Sequence, residues 1–193
     1  MGTERARRSG GGAAMTSPVS CWMPTPTEMS AHFAVRHRVF VEEQGVMVLT
    51  DIDRWDRHDE TIHVVAAHGT EIAGTVRLYP LDDVGRWKGD RLAVLPAYRS
   101  SLVGMRLVRY AVATAAAAGG LVMEASVQVA NTVFFERLGW RCDGEVRSYY
   151  GLPHQPMLID LPGAEPIAAV PRHDAVLKLS EHDLSMSPLL VPC

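Results

Sequence analysis

The chain has 193 residues, 47% of them hydrophobic, and a formal net charge of −3. That length and apolar content fit one domain with tails around a real core, and the charge excludes a general affinity for nucleic acid. No apolar run approaches the roughly 20 residues that span a bilayer, and Cys21, Cys142 and Cys193 are too far apart for metal-ligand spacing.

Residues 1–20 carry Gly, Arg and Ser without an apolar core for secretion, so they read as a disordered leader, with Met15 a candidate start. The folded domain is expected over 21–163. Thr25-Pro26-Thr27-Glu28 signals a helix start: Thr25 as cap, Pro26 in the first turn, Glu28 three positions on. Met29, Phe33 and Phe40 then recur at helical spacing, and the helix is expected to end near Glu42 or Glu43, before Gly45.

Asp51, Asp53, Asp56, Asp59 and Glu60 make the next stretch acidic. A calcium loop is disfavoured, because glycine at the sixth position and glutamate at the twelfth are missing. A loop facing substrate and a plain solvated loop are the two readings kept. Thr61–His68 reads as a strand, with His63 as a core histidine rather than a base. Gly69 marks a turn and Glu71–Tyr79 the returning strand of an antiparallel hairpin. Pro80–Gly89 reads as a loop.

The segment from Asp90 to Gly120 organises the rest. A short strand, Leu92–Leu95, is ended by Pro96, which cannot donate to a ladder. Arg99-Ser100-Ser101 forms a polar turn. Val103, Leu107, Ala111 and Thr114 mark one face of a helix, stopped by Gly119-Gly120. A strand feeding a helix N-terminus aims several unpaired N–H groups at one spot, which attracts phosphate. Arg86, Lys88, Arg91, Arg99, Arg106 and Arg109 lie in or near this unit against the single acid Asp90. An ordinary strand–helix unit with a solvated basic face is the competing reading.

Leu121–Gln128 is the next strand, with Glu124, Ser126 and Gln128 on one face. Asn131 is placed to cap a short helix closed by Gly139. Trp140–Tyr150 and His154–Leu161 read as two last strands. Pro162-Gly163 ends the pattern, and residues 164–193, with prolines at 166, 171, 188 and 192, read as a loosely attached tail. The order gives an α/β fold with a central mixed sheet.

Two motifs in this order resemble the GNAT-type N-acetyltransferases. Arg99-Ser100-Ser101-Leu102-Val103-Gly104 fits the family's Arg/Gln-x-x-Gly-x-Gly/Ala turn at Arg99 and Gly104 and departs from it at Leu102, where glycine is usual. Asn131–Trp140, with Phe134-Phe135-Glu136-Arg137-Leu138-Gly139-Trp140, matches the family's aromatic-x-x-Leu-Gly-aromatic helix end. Within the family, Arg38–Gln44, Gln128 and Gly151–Met157 are most similar to the ElaA-like and nitrogen-starvation-associated acetyltransferases. The early segment and Gly74–Leu78 also resemble acyl-homoserine-lactone synthases, which share the fold.

The resemblance implies a mostly antiparallel sheet flanked by helices, with a V-shaped splay at the acyl-CoA site. It implies acetyl transfer from acetyl-CoA to the primary amine of a small molecule, by direct attack in a ternary complex and without a metal. Leu92, Ala93 and Val94 would pair main chain with pantetheine. The amides of Arg99, Ser100, Ser101, Leu102, Val103, Gly104 and Met105 would hold the pyrophosphate, with Arg99 and Arg106 supplying charge. Asn131 would contact the pantetheine arm, and Phe135 would pack near the thiol, where many relatives have a tyrosine acid.

For base and acid, Glu43, Glu124, His154 and Tyr150 are the candidates, with Tyr98 and Tyr149 as further donors. Glu124, if buried, would have a raised pKa. The acidic loop, if it faces substrate, favours a cationic or polyamine-like acceptor. Two alternatives stay open: a longer acyl donor, as in the lactone synthases, and a CoA-binding sensor without catalysis. A cytoplasmic protein, compatible with a homodimer and free of nucleic-acid or membrane partners, is expected.

Overall fold

The computed structural model describes residues 17–162; the tail at 164–193, Met15 and most of the leader lie outside them. One sheet of eight strands is built from β1 (Val19–Trp22), β2 (Ile62–His68), β3 (Glu71–Pro80), β4 (Arg86–Val94), β5 (Val122–Gln128), β6 (Arg141–Cys142), β7 (Arg147–Tyr149) and β8 (Leu152–Asp160). Its order is β1-β2-β3-β4-β5-β8-β6, with β7 also pairing β8. Every pair is antiparallel except β4 with β5. That exception follows from α2 (Val103–Ala117), which carries the chain from β4 back to the start of β5.

Helix α2 packs on one face of the sheet. Val103, Leu107, Val108, Ala111 and Ala115 meet Val64, Val76, Leu78, Met123 and Val127 there. Helix α1 (Met29–Arg36) covers the other face, with Ala31 and Val35 against Val65, Ile72 and Ala93. The period-2 alternation of β4 changes face partway along. Trp87 and Ala93 share parity, yet Trp87 joins the α2 core and Ala93 the α1 core. A bulge opposite Thr75–Arg77 accounts for this, with Arg91 held at φ 50°. One extra residue turns every later side chain to the other face.

Several sequence expectations change. β1 begins inside the stretch read as leader, because Val19–Trp22 pairs with Val65–His68 at the sheet edge. Thr25 does not cap α1; Glu28 holds the N-cap position, and its carboxylate accepts the Thr25 N–H at 2.7 Å. The first helix does end at Glu43, but from His37 it is a π-helix (His37–Glu43). β4 starts at Arg86, not Leu92, so the last four residues of the expected loop are strand. Trp140–Tyr150 divides into β6 and β7 at a turn where Gly144 takes φ 87°. α2 ends as expected, at Gly119 with φ 86°.

Candidate active site

β4 and β5 pair only through Arg86↔Val122, Trp87↔Met123 and Lys88↔Glu124. Beyond Lys88 the two strands part, because the bulge at Arg91 bends β4 while β5 stays zipped to β8 as far as Gln128↔His154. The V between them opens a cleft of about 260 Å³. Phe40 and Met47 line it from the π-helix side, Val108 from α2, Phe135 from α3 (Thr132–Glu136), and Tyr149 and Tyr150 from the β7 turn. Gln128 and Gln44, both lining it, meet through a 3.0 Å Nε2–H···Oε1 bond.

The turn before α2 lies beyond the cleft lining. Leu102 is the N-cap of α2, at φ −80° and ψ 1°, and its side chain is exposed. Its backbone conformation therefore does not require glycine. Ser101 Oγ accepts the Val103 N–H at 3.3 Å. Val103 is fully buried, main chain included. A Cβ on Gly104 would meet Phe134 at 3.6 Å and Val94 at 3.7 Å, ordinary contacts. The chain's own packing does not demand glycine at 104, and the surface over this turn stays low. Ser100 is exposed and Met105 half-buried beside it. Leu92 and Val94 pack toward α2 and Ala93 toward α1.

Asn131 precedes α3 at the N-cap position without a side-chain capping bond, which corrects its expected role as a cap; its side chain lines the cleft instead. Phe135 is 7% exposed, sits edge-on to Phe134 and Trp140, and also lines the cleft. It is core and cleft wall at once.

The acid and base candidates separate. Glu43 lies outside the cleft lining, where its Oε1 and Oε2 take Arg99 Nη1 and Nη2 at 2.6 Å each. The Arg99 guanidinium holds the Glu43 carboxyl below its ordinary range. Glu124 is not buried as the raised-pKa argument required. It is half-exposed, pairs with Arg86 at 2.9 Å and Lys88 at 3.5 Å, and is outside the cleft lining. Tyr98 is spent on Glu71, away from the cleft.

His154 and Tyr150 do line the cleft. His154 Nδ1 lies 2.9 Å from the Leu152 carbonyl. An oxygen can only accept, so Nδ1 carries the proton and Nε2 the lone pair of the neutral ring. Tyr150 takes φ 50°, strained for a non-glycine residue, and stacks edge-on against Tyr149. Burial, then the Tyr150 hydroxyl, raises the Tyr149 phenol above its ordinary value.

Asp51, Asp53 and Asp56 turn inward onto arginines, a correction to both readings kept from sequence, while Asp59 and Glu60 stay exposed. Asp51 is 3% exposed and takes Arg36 Nε at 2.6 Å. Asp56 receives Arg36 at 2.5 and 3.0 Å, and Asp53 receives Arg77 at 2.7 and 2.9 Å. Arg77 also grips Asp90, and Arg91 reaches Asp53 at 3.0 Å. Burial raises the Asp56 carboxyl, but its bonds to Arg36 outweigh that and hold it well below the usual range. The aspartates thus fasten the loop to α1, β3 and β4, with Trp55 stacked on Tyr79 at 4.3 Å. Their alternation with arginines 15 to 40 positions away carries no sequence signal.

His63 is a core histidine as expected, with Nδ1 3.1 Å from His32 Nε2. Lys88, in sequence one of six basic residues around the organising segment, sits at the vertex of the V. Among the described residues no group of three or more His, Cys, Asp or Glu could hold a metal, and no helix is long and apolar enough to cross a membrane.

The acetyltransferase (GNAT) domain family matches residues 59–142, which include the splay, α2 and α3. The uncharacterized N-acetyltransferase YjcF of Bacillus subtilis (strain 168) is 33% identical over 132 residues, 66% of this chain and 89% of that protein. A Pseudomonas aeruginosa structure described as an acyl-CoA N-acyltransferase is 26% identical, with a TM-score of 0.62, covering 74% of this chain and 99% of that one. Escherichia coli ElaA shares the fold at a TM-score of 0.64 and 22% identity, over 74% of this chain and 98% of its own.

Proposed function

The chain belongs to the GNAT N-acetyltransferase family and is an acyl-CoA-dependent N-acyltransferase, and from that premise we propose that it moves an acetyl group from acetyl-CoA to the primary amine of a small molecule held in the splay. The observation that carries this reading is the V between β4 and β5, with β4 leading through the turn at Arg99–Leu102 into the α2 N-terminus. The α2 turn, from Arg99 to Met105, receives the pyrophosphate; the Arg99, Ser101 and Val103 amides are bonded within the chain, which leaves those of Ser100, Leu102, Gly104 and Met105 as the donors. Pantetheine runs along Leu92–Val94, where β4 has lost β5 as a partner, past Asn131 and Phe135. The P. aeruginosa relative named for acyl-CoA supports this donor class.

The amine attacks from the side lined by Phe40, Met47 and Tyr149. Its nitrogen bonds to the thioester carbon, the carbonyl electrons collapse back, and the C–S bond breaks. Main-chain N–H groups of the parted β4 stabilise the oxyanion. His154 is the preferred proton acceptor, since Nδ1–H bonded to Leu152 O fixes the ring and leaves Nε2 basic. Phe135 cannot protonate the thiolate, so Tyr150 is the assigned donor. Glu43 and Glu124 are not assigned, because each is neutralised by arginine outside the cleft lining.

Phe135 also favours a second reading, a CoA-binding sensor without turnover. Calorimetry with CoA, alongside thiol release from acetyl-CoA over an amine panel, decides between them. Binding with amine-dependent release supports the transferase. Binding with no release across the panel supports the sensor, and no binding overturns both.

A further inference from the structure

The cleft carries one loosely held cation. Its charged lining residues are Lys88, Asp90 and Arg91. Asp90 is spent on Arg77, with contacts of 2.8 and 2.7 Å. Arg91 is spent on Asp51 and Asp53. Lys88 is different. Its ammonium has Glu124 Oε1 and Ser126 Oγ as acceptors, both at 3.5 Å, the outer limit of a hydrogen bond. Glu124 is already held more tightly by Arg86, at 2.9 Å. An ammonium has three donors and no acceptor, so Lys88 reaches the cleft with its capacity little used.

Position adds to this. Lys88 is the last residue of β4 paired with β5, so it sits at the vertex of the V. Trp87 faces the α2 core, and Lys88 therefore projects to the opposite face, the side of the π-helix and the acidic loop. Ser126 and Gln128 follow Glu124 at period 2 on β5 and line the same cleft. Among the described residues, the carboxylate that lines the cleft, Asp90, is bound by Arg77 and is not free to receive a cationic acceptor.

We propose that the acceptor amine carries a carboxylate, and that Lys88, with Ser126 beside it, binds that carboxylate and so selects amino-carboxylates over neutral or cationic amines. This rests on the transferase reading given above. One cation with Glu124 at 3.5 Å suits a monoanion better than a phosphate dianion, which the glutamate would repel. The thioester end of the donor and the amine of the acceptor share this cleft of about 260 Å³.

The test is thiol release from acetyl-CoA with free amino acids, each compared with its own amide, in the parent and in Lys88→Met. CoA calorimetry is run on both proteins. The expected result is a preference of tenfold or more in kcat/KM for at least one amino acid over its amide, mostly in KM. In Lys88→Met that acceptor should fall to the level of its amide while CoA binding persists, which also reports that the variant folds. Amides used as well as acids, a panel led by polyamines, or CoA binding without turnover of any amino acid overturns the proposal. So does a Lys88→Met that lowers acids and amides equally. Failure of CoA binding in the parent instead overturns the transferase reading itself.

Discussion

Arg99 and Glu43 clasp each other outside the cleft lining, Nη1 to Oε1 and Nη2 to Oε2, both at 2.6 Å. The pair ties the turn before α2 to the last residue of the π-helix. It joins a residue proposed for phosphate charge to one considered as a base, and in the clasp neither is free. As an exposed pair it contributes under about 1 kcal/mol to folding; its weight is on ligand binding.

Glu43→Gln should therefore tighten CoA, because it removes a negative charge beside the proposed phosphate turn and releases Arg99. An increase in affinity of about threefold to tenfold by calorimetry at low salt is expected, shrinking at high salt. The pH profile of kcat/KM should keep its shape. A lost acidic limb would instead make Glu43 the base.

Gly104→Asp should leave the fold nearly unchanged, since a Cβ there meets only Phe134 and Val94 at ordinary distances. CoA affinity should fall at least tenfold, as the carboxylate would stand in the phosphate turn. Thermal unfolding and calorimetry on one sample separate the two effects. An unchanged CoA affinity would move the pyrophosphate away from the α2 turn.

His32 is buried, its Nε2 accepting from Arg36 Nη1 at 3.2 Å, and burial, then the Arg36 charge, pushes its pKa from 6.5 down to about 3. His63 is lowered in the same sense, by burial first. Between pH 6.5 and 3 the unfolded chain binds a proton at His32 that the folded chain does not. Stability is therefore full above 6.5 and is lost as pH falls through that window. Asp53 and Asp56, both lowered, add to the loss below pH 4. Urea midpoints from pH 7 to 4 should fall, and His32→Gln should reduce that slope by about one proton. An unaltered slope would assign the dependence elsewhere.

Arg77→Met should be among the most destabilising single changes. The side chain is fully buried and bonds Asp53 and Asp90. Removing it takes the arginine from part-buried Asp90 and leaves Asp53 with Arg91 alone, a cost of about 3 kcal/mol, measurable by urea unfolding. A loss below about 1 kcal/mol would mean that the aspartate loop is held chiefly by Arg36 and by Trp55 on Tyr79.

Local pattern alone determined the β2–β3 hairpin, helix α2 with its Gly119 stop, the β5 strand and the short helix α3 ahead of Gly139. These rest on periodicity and turn chemistry, which act within a few residues. The family's two motifs came from the same local level. What only the tertiary structure decided was how distant residues meet. Asp51, Asp53 and Asp56 look like a solvated or substrate-facing run until Arg36, Arg77 and Arg91 arrive from α1, β3 and β4 to bury them. Glu43 and Glu124 look like bases until arginines 56 and 38 positions away neutralise them. Lys88 looks like one of six scattered basic residues until the bulge at Arg91 parts β4 from β5 and leaves it at the vertex of the cleft. Burial, charge pairing and strand separation are sums over neighbours from remote parts of the chain, so they exist only once the sheet has formed.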